Sequence, residues 1–227
     1  RRRHTRLQGD WSSDVCSSDL TSKSCPPTSA TLAAASEMGD PQVVVGVLAL
    51  QGDFAEHEAA LQTAGLSTRQ IRTARDLDGL AGIALPGGES TTMLKLLDVE
   101  GLWEPLGQLL RSGIPVFATC AGMILLAEHV QNPAQRSYGI LPITVVRNGY
   151  GRQLHSGTFA LRTSGAASLP SSMEGTFIRA PRITEVRDCE VLAWRGEDPV
   201  LVRKGAILAA GDRKSTRLNS SHLVISY

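Results

Sequence analysis

Cys120 lies in the stretch PVFATCAGMILLAE, residues 115–128, between two apolar runs of different period. Pro115 to Ala118 have the composition of a short buried strand, whereas Met123 to Ala127 are better helix formers bounded by Glu128. The cysteine therefore falls on a strand-to-helix turn. Such a bend projects the sulfur outward, and the N–H groups of the helix start can stabilise both a thiolate and an oxyanion. The chemistry this suits is nucleophilic attack on a carbonyl carbon; a buried structural thiol is the other reading this stretch leaves open. A second stretch, LPGGESTT at 85–92, places two glycines after a buried strand, where backbone can approach a ligand without obstruction by Cβ. A plain turn with Ser90 or Thr91 as helix N-cap explains its hydroxyls, but not two glycines before Glu89. It lacks the GK[ST] ending of a phosphate-binding loop, so no nucleotide is indicated.

Both stretches need a frame that brings them together. Of 227 residues, 42% are hydrophobic and 20% charged, ordinary values for a protein with one well-buried domain. With 23 basic and 22 acidic residues there is no global field to draw nucleic acid or an anionic membrane, and no apolar run reaches the roughly 20 residues of a membrane span. Cys16, Cys25, Cys120 and Cys189 show neither metal-ligand spacing nor the density of a disulfide scaffold, which fits a reducing cytoplasm.

The pattern predicts a strand over Val43–Leu50, a helix over Phe54–Ala64, strands at Thr68–Ile71 and Gly82–Leu85, helices at Thr91–Leu97 and Leu102–Leu110, and the strand Val116–Ala118 before Cys120. This β-α alternation implies an α/β fold with a mostly parallel sheet flanked by helices on both faces. Short strands follow at Ile143–Val146, Gly157–Leu161, Thr176–Ile178, Val191–Trp194, Val200–Val202 and Ala206–Ala210. In open α/β sheets ligands collect at the carboxyl ends of the strands, where the LPGGES and ATCAG loops both fall.

Five stretches, GVLALQGDFAEH, LPGGESTTM, TCAGMILLA, ITVVRNGYGRQ and FIRAP, stand in the order and spacing of a known family. Over Val43–Ala210 the chain resembles the class I glutamine amidotransferases, and within them the branch that serves as glutaminase subunits of pyridoxal 5'-phosphate synthase. The glutaminases of imidazole glycerol phosphate synthase share the nucleophile, but GGESTT, RNGYGRQ and FIRAP point away from them. The resemblance implies a flavodoxin-like three-layer fold and hydrolysis of L-glutamine to L-glutamate and ammonia, the ammonia passing to a synthase subunit in a hetero-oligomer. It implies no cofactor and no metal. Cys120 is then the nucleophile, and the backbone N–H groups of Gly88 and Ala121 the oxyanion donors. Gly88, Glu89, Ser90, Arg147, Ile178 and Arg179 line the glutamine pocket, arginine suiting the α-carboxylate and glutamate the α-ammonium. One departure is Ala118, where the family usually has glycine.

A larger departure concerns the base. The family carries a histidine and an orienting glutamate just after the strand that aligns with Ala206–Ala210; aligned without gaps, Arg213 takes the histidine position and Ser215 the glutamate position. Arginine accepts no proton near neutral pH, and serine cannot hold an imidazolium. His57 is expected to cap a helix or face solvent, His129 to end the helix after Cys120, and neither His155 nor the distant His222 to act as base. Cys189 is expected to be structural, and Met93 and Met123 to be core. Residues 1–37 lack any sustained period and read as a disordered extension, and 211–227 as an added tail; WSSDVCSSDL and DRKSTRLNSSHLVISY resemble translated sequencing-adapter text. The glutaminase domain is accordingly expected over 38–210, incomplete at its carboxyl end. Without a base, a silent module that docks on the synthase is the alternative to an enzyme.

Overall fold

The computed structural model describes residues 43–151, 157–166, 169 and 172–213. A nine-stranded sheet has the order β2-β1-β3-β4-β12-β11-β10-β7-β8, formed by β1 (Val44–Leu48), β2 (Ser67–Ile71), β3 (Gly82–Leu85), β4 (Val116–Thr119), β7 (Gly157–Thr163), β8 (Met173–Phe177), β10 (Glu190–Arg195), β11 (Asp198–Lys204) and β12 (Ile207–Ala210). Its first five strands run parallel. From β12 outward the pairing is antiparallel, a mixed sheet built around the expected parallel core. The change of direction follows from loop length: Gly196-Glu197 and Gly205-Ala206 join β10, β11 and β12, and two-residue loops return the chain only as hairpins. Both glycines adopt the positive φ such turns require.

Side chains alternate across the parallel strands and so divide the core. Val47 and Ala84 face Leu61 of α1 (Phe54–Thr63), whereas Leu48, Ile83, Leu85, Val116 and Ala118 join the large cluster with α2 (Ser90–Val99), α3 (Trp103–Arg111) and α4 (Ala121–Leu126). Helices thus cover both faces, as the β-α alternation requires. A second sheet, β5 (Ala127–Gln131), β6 (Leu141–Val146) and β9 (Arg182–Val186), packs Val130, Leu141, Ile143, Val145 and Ile183 into the same cluster. Met93 and Met123 are fully buried in it, as expected of core methionines.

The sequence pattern missed β5 and β9. The helix after Cys120 ends at Leu126, one residue before an extended Ala127, so His129 does not terminate a helix; it is an exposed residue of β5 beside the inward Val130. Ala127 and Val130, the buried residues of β5, stand three positions apart across a register shift between Ala127 and His129, so no period of two shows in the sequence. After β12, Gly211 donates to the Val200 carbonyl and Arg213 to that of Thr176, so the chain stays on the domain through Arg213. Among the described residues no helix is long and apolar enough to cross a membrane.

Gly122, two residues into the turn after Cys120, fixes how closely α4 can sit on β3. A Cβ there would fall far inside contact distance of the Leu85 carbonyl oxygen, and backbone cannot move aside as a side-chain tip can. Gly122→Ala is expected to lower the stability of the domain by at least roughly 2 kcal/mol, measured by denaturant unfolding.

Candidate active site

Four loops at the carboxyl ends of β1, β3, β4 and β12 meet above the parallel strands. Asp53 N–H donates to the Gly87 carbonyl at 2.9 Å, and Gln51 Nε2 to that of Glu89 at 3.0 Å, joining the first two. Gly52 and Gly88 permit this approach, since a Cβ on either would collide with the opposite loop. The Cys120 N–H donates to the Ala210 carbonyl at 2.9 Å, tying the third loop to the fourth strand.

Cys120 occupies the turn with φ 44° and ψ −99°, a left-handed backbone that a residue with a Cβ adopts only under constraint. Its side chain is buried. Burial pushes the thiol up to about 11, against the opposing pull of N–H hydrogen bonds from Gly88 and Ala121 and of the Arg213 charge. Burial outweighs the pull of the helix start, so the thiol is protonated at pH 7. The two N–H groups proposed as oxyanion donors do converge on the sulfur.

A cavity of about 220 Å³ opens beside it, lined by Gly88, Glu89, Ser90, Cys120, Arg147, Ile178 and Arg179, together with Gln51, Ile124, Asn148 and Arg213. Every residue proposed for the pocket from sequence thus lines one cleft. Asn148 and Arg179 share with Cys120 a left-handed backbone, with φ of 51° and 47°. Such strain persists only where surrounding structure over-determines it, and it clusters at functional sites.

Glu89, not Ser90 or Thr91, is the N-cap of α2. Its carboxylate accepts from the N–H groups of Thr91 and Thr92 at 3.1 and 2.7 Å and from Thr92 Oγ1 at 2.8 Å. Burial pushes this carboxyl up, but the bonds from Thr92 and Thr91 outweigh it and hold it down to about 2, so it is ionised throughout the physiological range. Arg147 Nη2 pairs with Glu89 Oε1 at 3.1 Å and donates to Thr91 Oγ1 at 2.8 Å. Ser90 Oγ is turned to Gln135 at 2.9 Å.

At the position aligned with the family's histidine, Arg213 forms a two-pronged ion pair with Asp53, Nε–Oδ2 at 2.8 Å and Nη2–Oδ1 at 3.3 Å. Its hydrogen bond to Asp53 raises its own pKa further, so it remains a cation. His57 neither caps a helix end nor faces solvent. It is buried on α1, with Nδ1 2.9 Å from the Asp53 carbonyl oxygen and Nε2 3.1 Å from Thr119 Oγ1, and burial lowers its pKa. Both ring nitrogens are thereby engaged, tying the first loop to the strand end before Cys120. Cys189 is a half-buried free thiol outside the cleft, packed against the main core. His155, Ser215 and His222 lie outside the described residues.

Sequence reasoning singled out neither Gln51 nor Asn148, although both stand inside motifs it had matched; Asp53 carried only the weak signal of an acidic residue after a strand-end glycine.

Cys120 thus sits on a strand-to-helix turn at the end of the parallel strands, with the Gly88 and Ala121 N–H groups converging on its sulfur. The chain belongs to the SNO glutamine amidotransferase family, whose model matches residues 47–222. That match runs past β12 into residues 214–222, outside those described. It is 45% identical over 167 residues to the pyridoxal 5'-phosphate synthase subunit PdxT of Thermotoga neapolitana, covering 73% of this chain and 88% of that one. The PdxT of Solibacter usitatus is 47% identical over 170 residues, with the same coverage. A solved glutamine amidotransferase superposes with a TM-score of 0.69 at 39% identity, over 77% of this chain and 93% of its own. For fold alone, a glutamine amidotransferase structure from Thermotoga maritima gives 0.55 at 14% identity, over 75% of either chain.

Because burial raises the Cys120 thiol, its alkylation by iodoacetamide should speed up about tenfold per pH unit from pH 7 to 10. Peptide mass spectrometry separates this sulfur from Cys189. A rate that is flat over this range would show a thiolate already formed.

Proposed function

We propose that the cleft binds L-glutamine and that the chain is the glutaminase subunit of a pyridoxal 5'-phosphate synthase, working in the cytoplasm. The observation that carries this is the meeting of Cys120 with the Gly88 and Ala121 N–H groups in a cleft that Arg147 and Arg179 also line. The carboxamide carbon of glutamine lies against Cys120 and its oxygen in the Gly88–Ala121 oxyanion site. Attack forms a carbon–sulfur bond, the carbon–nitrogen bond then breaks and ammonia leaves with a proton. Water hydrolyses the glutamyl thioester to glutamate and restores the thiol. Arg147 and Arg179 suit the α-carboxylate. Glu89 keeps its charge for the α-ammonium while its oxygens hold Thr91, Thr92 and Arg147. Ser90 and Ile178 complete the wall. The chain's likeness to pyridoxal 5'-phosphate synthase subunits favours a synthase of that kind as partner over imidazole glycerol phosphate synthase.

A second reading, a module that binds glutamine and the synthase without turnover, is favoured by the Asp53–Arg213 pair. The thiol must lose a proton and the leaving ammonia must gain one, and Arg213 supplies neither service at neutral pH. With the thiol near 11, attack without a base is slow.

The sequence as it stands should therefore release little ammonia from glutamine even with the synthase partner present. Arg213→His combined with Ser215→Glu is expected to raise that rate by about 10²-fold or more, and adding Cys120→Ala to abolish the gain. Equal rates with and without the two substitutions would show that Arg213 is not the block; activity surviving Cys120→Ala would refute the nucleophile.

A further inference from the structure

Arg195, at the end of β10, lies among three aromatic rings. Its guanidinium carbon is 3.6 Å from the Phe159 ring centre, 4.4 Å from that of Tyr150 and 5.0 Å from that of Phe177. The rings also support one another: Tyr150 and Phe159 meet Phe177 edge-on at 5.6 and 6.2 Å. Arg195 Nη1 is buried and has no hydrogen-bond partner among the described residues, so ring faces take the place of acceptors around it. Taking that end of the cation out of water costs desolvation, and a guanidinium, being planar and weakly hydrated, suits the setting better than an ammonium would.

The rings belong to the segments that wall the cleft. Tyr150 ends the turn that begins with Arg147 and Asn148; Phe177, only 1% exposed, immediately precedes Ile178 and Arg179. Asn148 and Arg179 both need their left-handed backbone held from outside, and neither segment is clamped by the parallel strands that fix Cys120. One guanidinium spans both. We propose that Arg195 is a positioning residue for the cleft: by stacking on Tyr150, Phe159 and Phe177 it fixes the Arg147–Asn148 and Ile178–Arg179 walls relative to each other, and so sets affinity for the amino-acid end of the ligand. This rests on the reading of the cleft as a glutamine site. Cys120 and its oxyanion donors, carried by β3 and β4, are set independently of it.

The test compares the full chain with Arg195→Met and Arg195→Lys, measuring L-glutamine affinity by titration calorimetry and backbone amide exchange by mass spectrometry. Arg195→Met is expected to weaken glutamine roughly tenfold and Arg195→Lys to recover part of the loss, since lysine retains a cation but not the planar stack. Exchange should quicken at residues 148–151 and 177–179 in Arg195→Met, while β3 and β4 stay protected. Unchanged exchange at both walls, or a loss of protection spread evenly over the domain, would overturn the proposal. If the unsubstituted chain binds no glutamine, the glutamine reading of the cleft falls, and the exchange pattern still decides whether Arg195 holds the walls.

Discussion

The left-handed backbone of Cys120 costs about 1–2 kcal/mol, and much of the domain is arranged so that this cost is met. On one side β4 is pinned between β3 and β12, with the Cys120 N–H bound to the Ala210 carbonyl. On the other, α4 is seated directly on the Leu85 carbonyl because residue 122 has no Cβ. The helix is only six residues long and every one is buried, so packing, not helical propensity, holds it in place. Release either support and the turn can relax, taking the sulfur away from the Gly88 and Ala121 N–H groups.

The same burial that fixes the sulfur also keeps its proton on. Desolvation outweighs two N–H hydrogen bonds and a neighbouring guanidinium, leaving a neutral thiol. Such a site needs a base, and at the aligned position it has Arg213, whose charge is taken up by Asp53. Among the described residues, Cys120 therefore meets two N–H donors, the Arg213 cation and the opposing charge of Asp212. Glu89 shows a comparable economy: a single carboxylate caps α2, holds Arg147 and contributes the negative charge of the cleft.

Much of this is legible in the residues themselves. The β-α alternation up to Val116 specifies the parallel core, and the change of period around Cys120 specifies the turn. What the pattern does not carry are long-range choices. β12 inserts beside β4 rather than following β11 to an edge, and nothing local to Ile207–Ala210 encodes that. The buried setting of His57 depends on the Asp53 carbonyl and on Thr119, 62 positions away. Glu89 is hard to foresee as the cap because glutamate is a weak N-cap by statistics; here two flanking threonines supply the N–H groups that make it one. The wall residues Arg147 and Arg179 emerge only through matched motifs, since an isolated arginine carries no periodic signal.

The central claim is that the cleft takes L-glutamine with its side-chain carbonyl against Cys120. It is tested most directly with a chloroketone analogue of glutamine, incubated with the chain at pH 9 and located by peptide mass spectrometry. The account predicts a single addition at Cys120, slowed by excess L-glutamine and unaffected by excess D-glutamine. Addition at Cys189 at an equal rate, or labelling of Cys120 that L-glutamine does not slow, would contradict it.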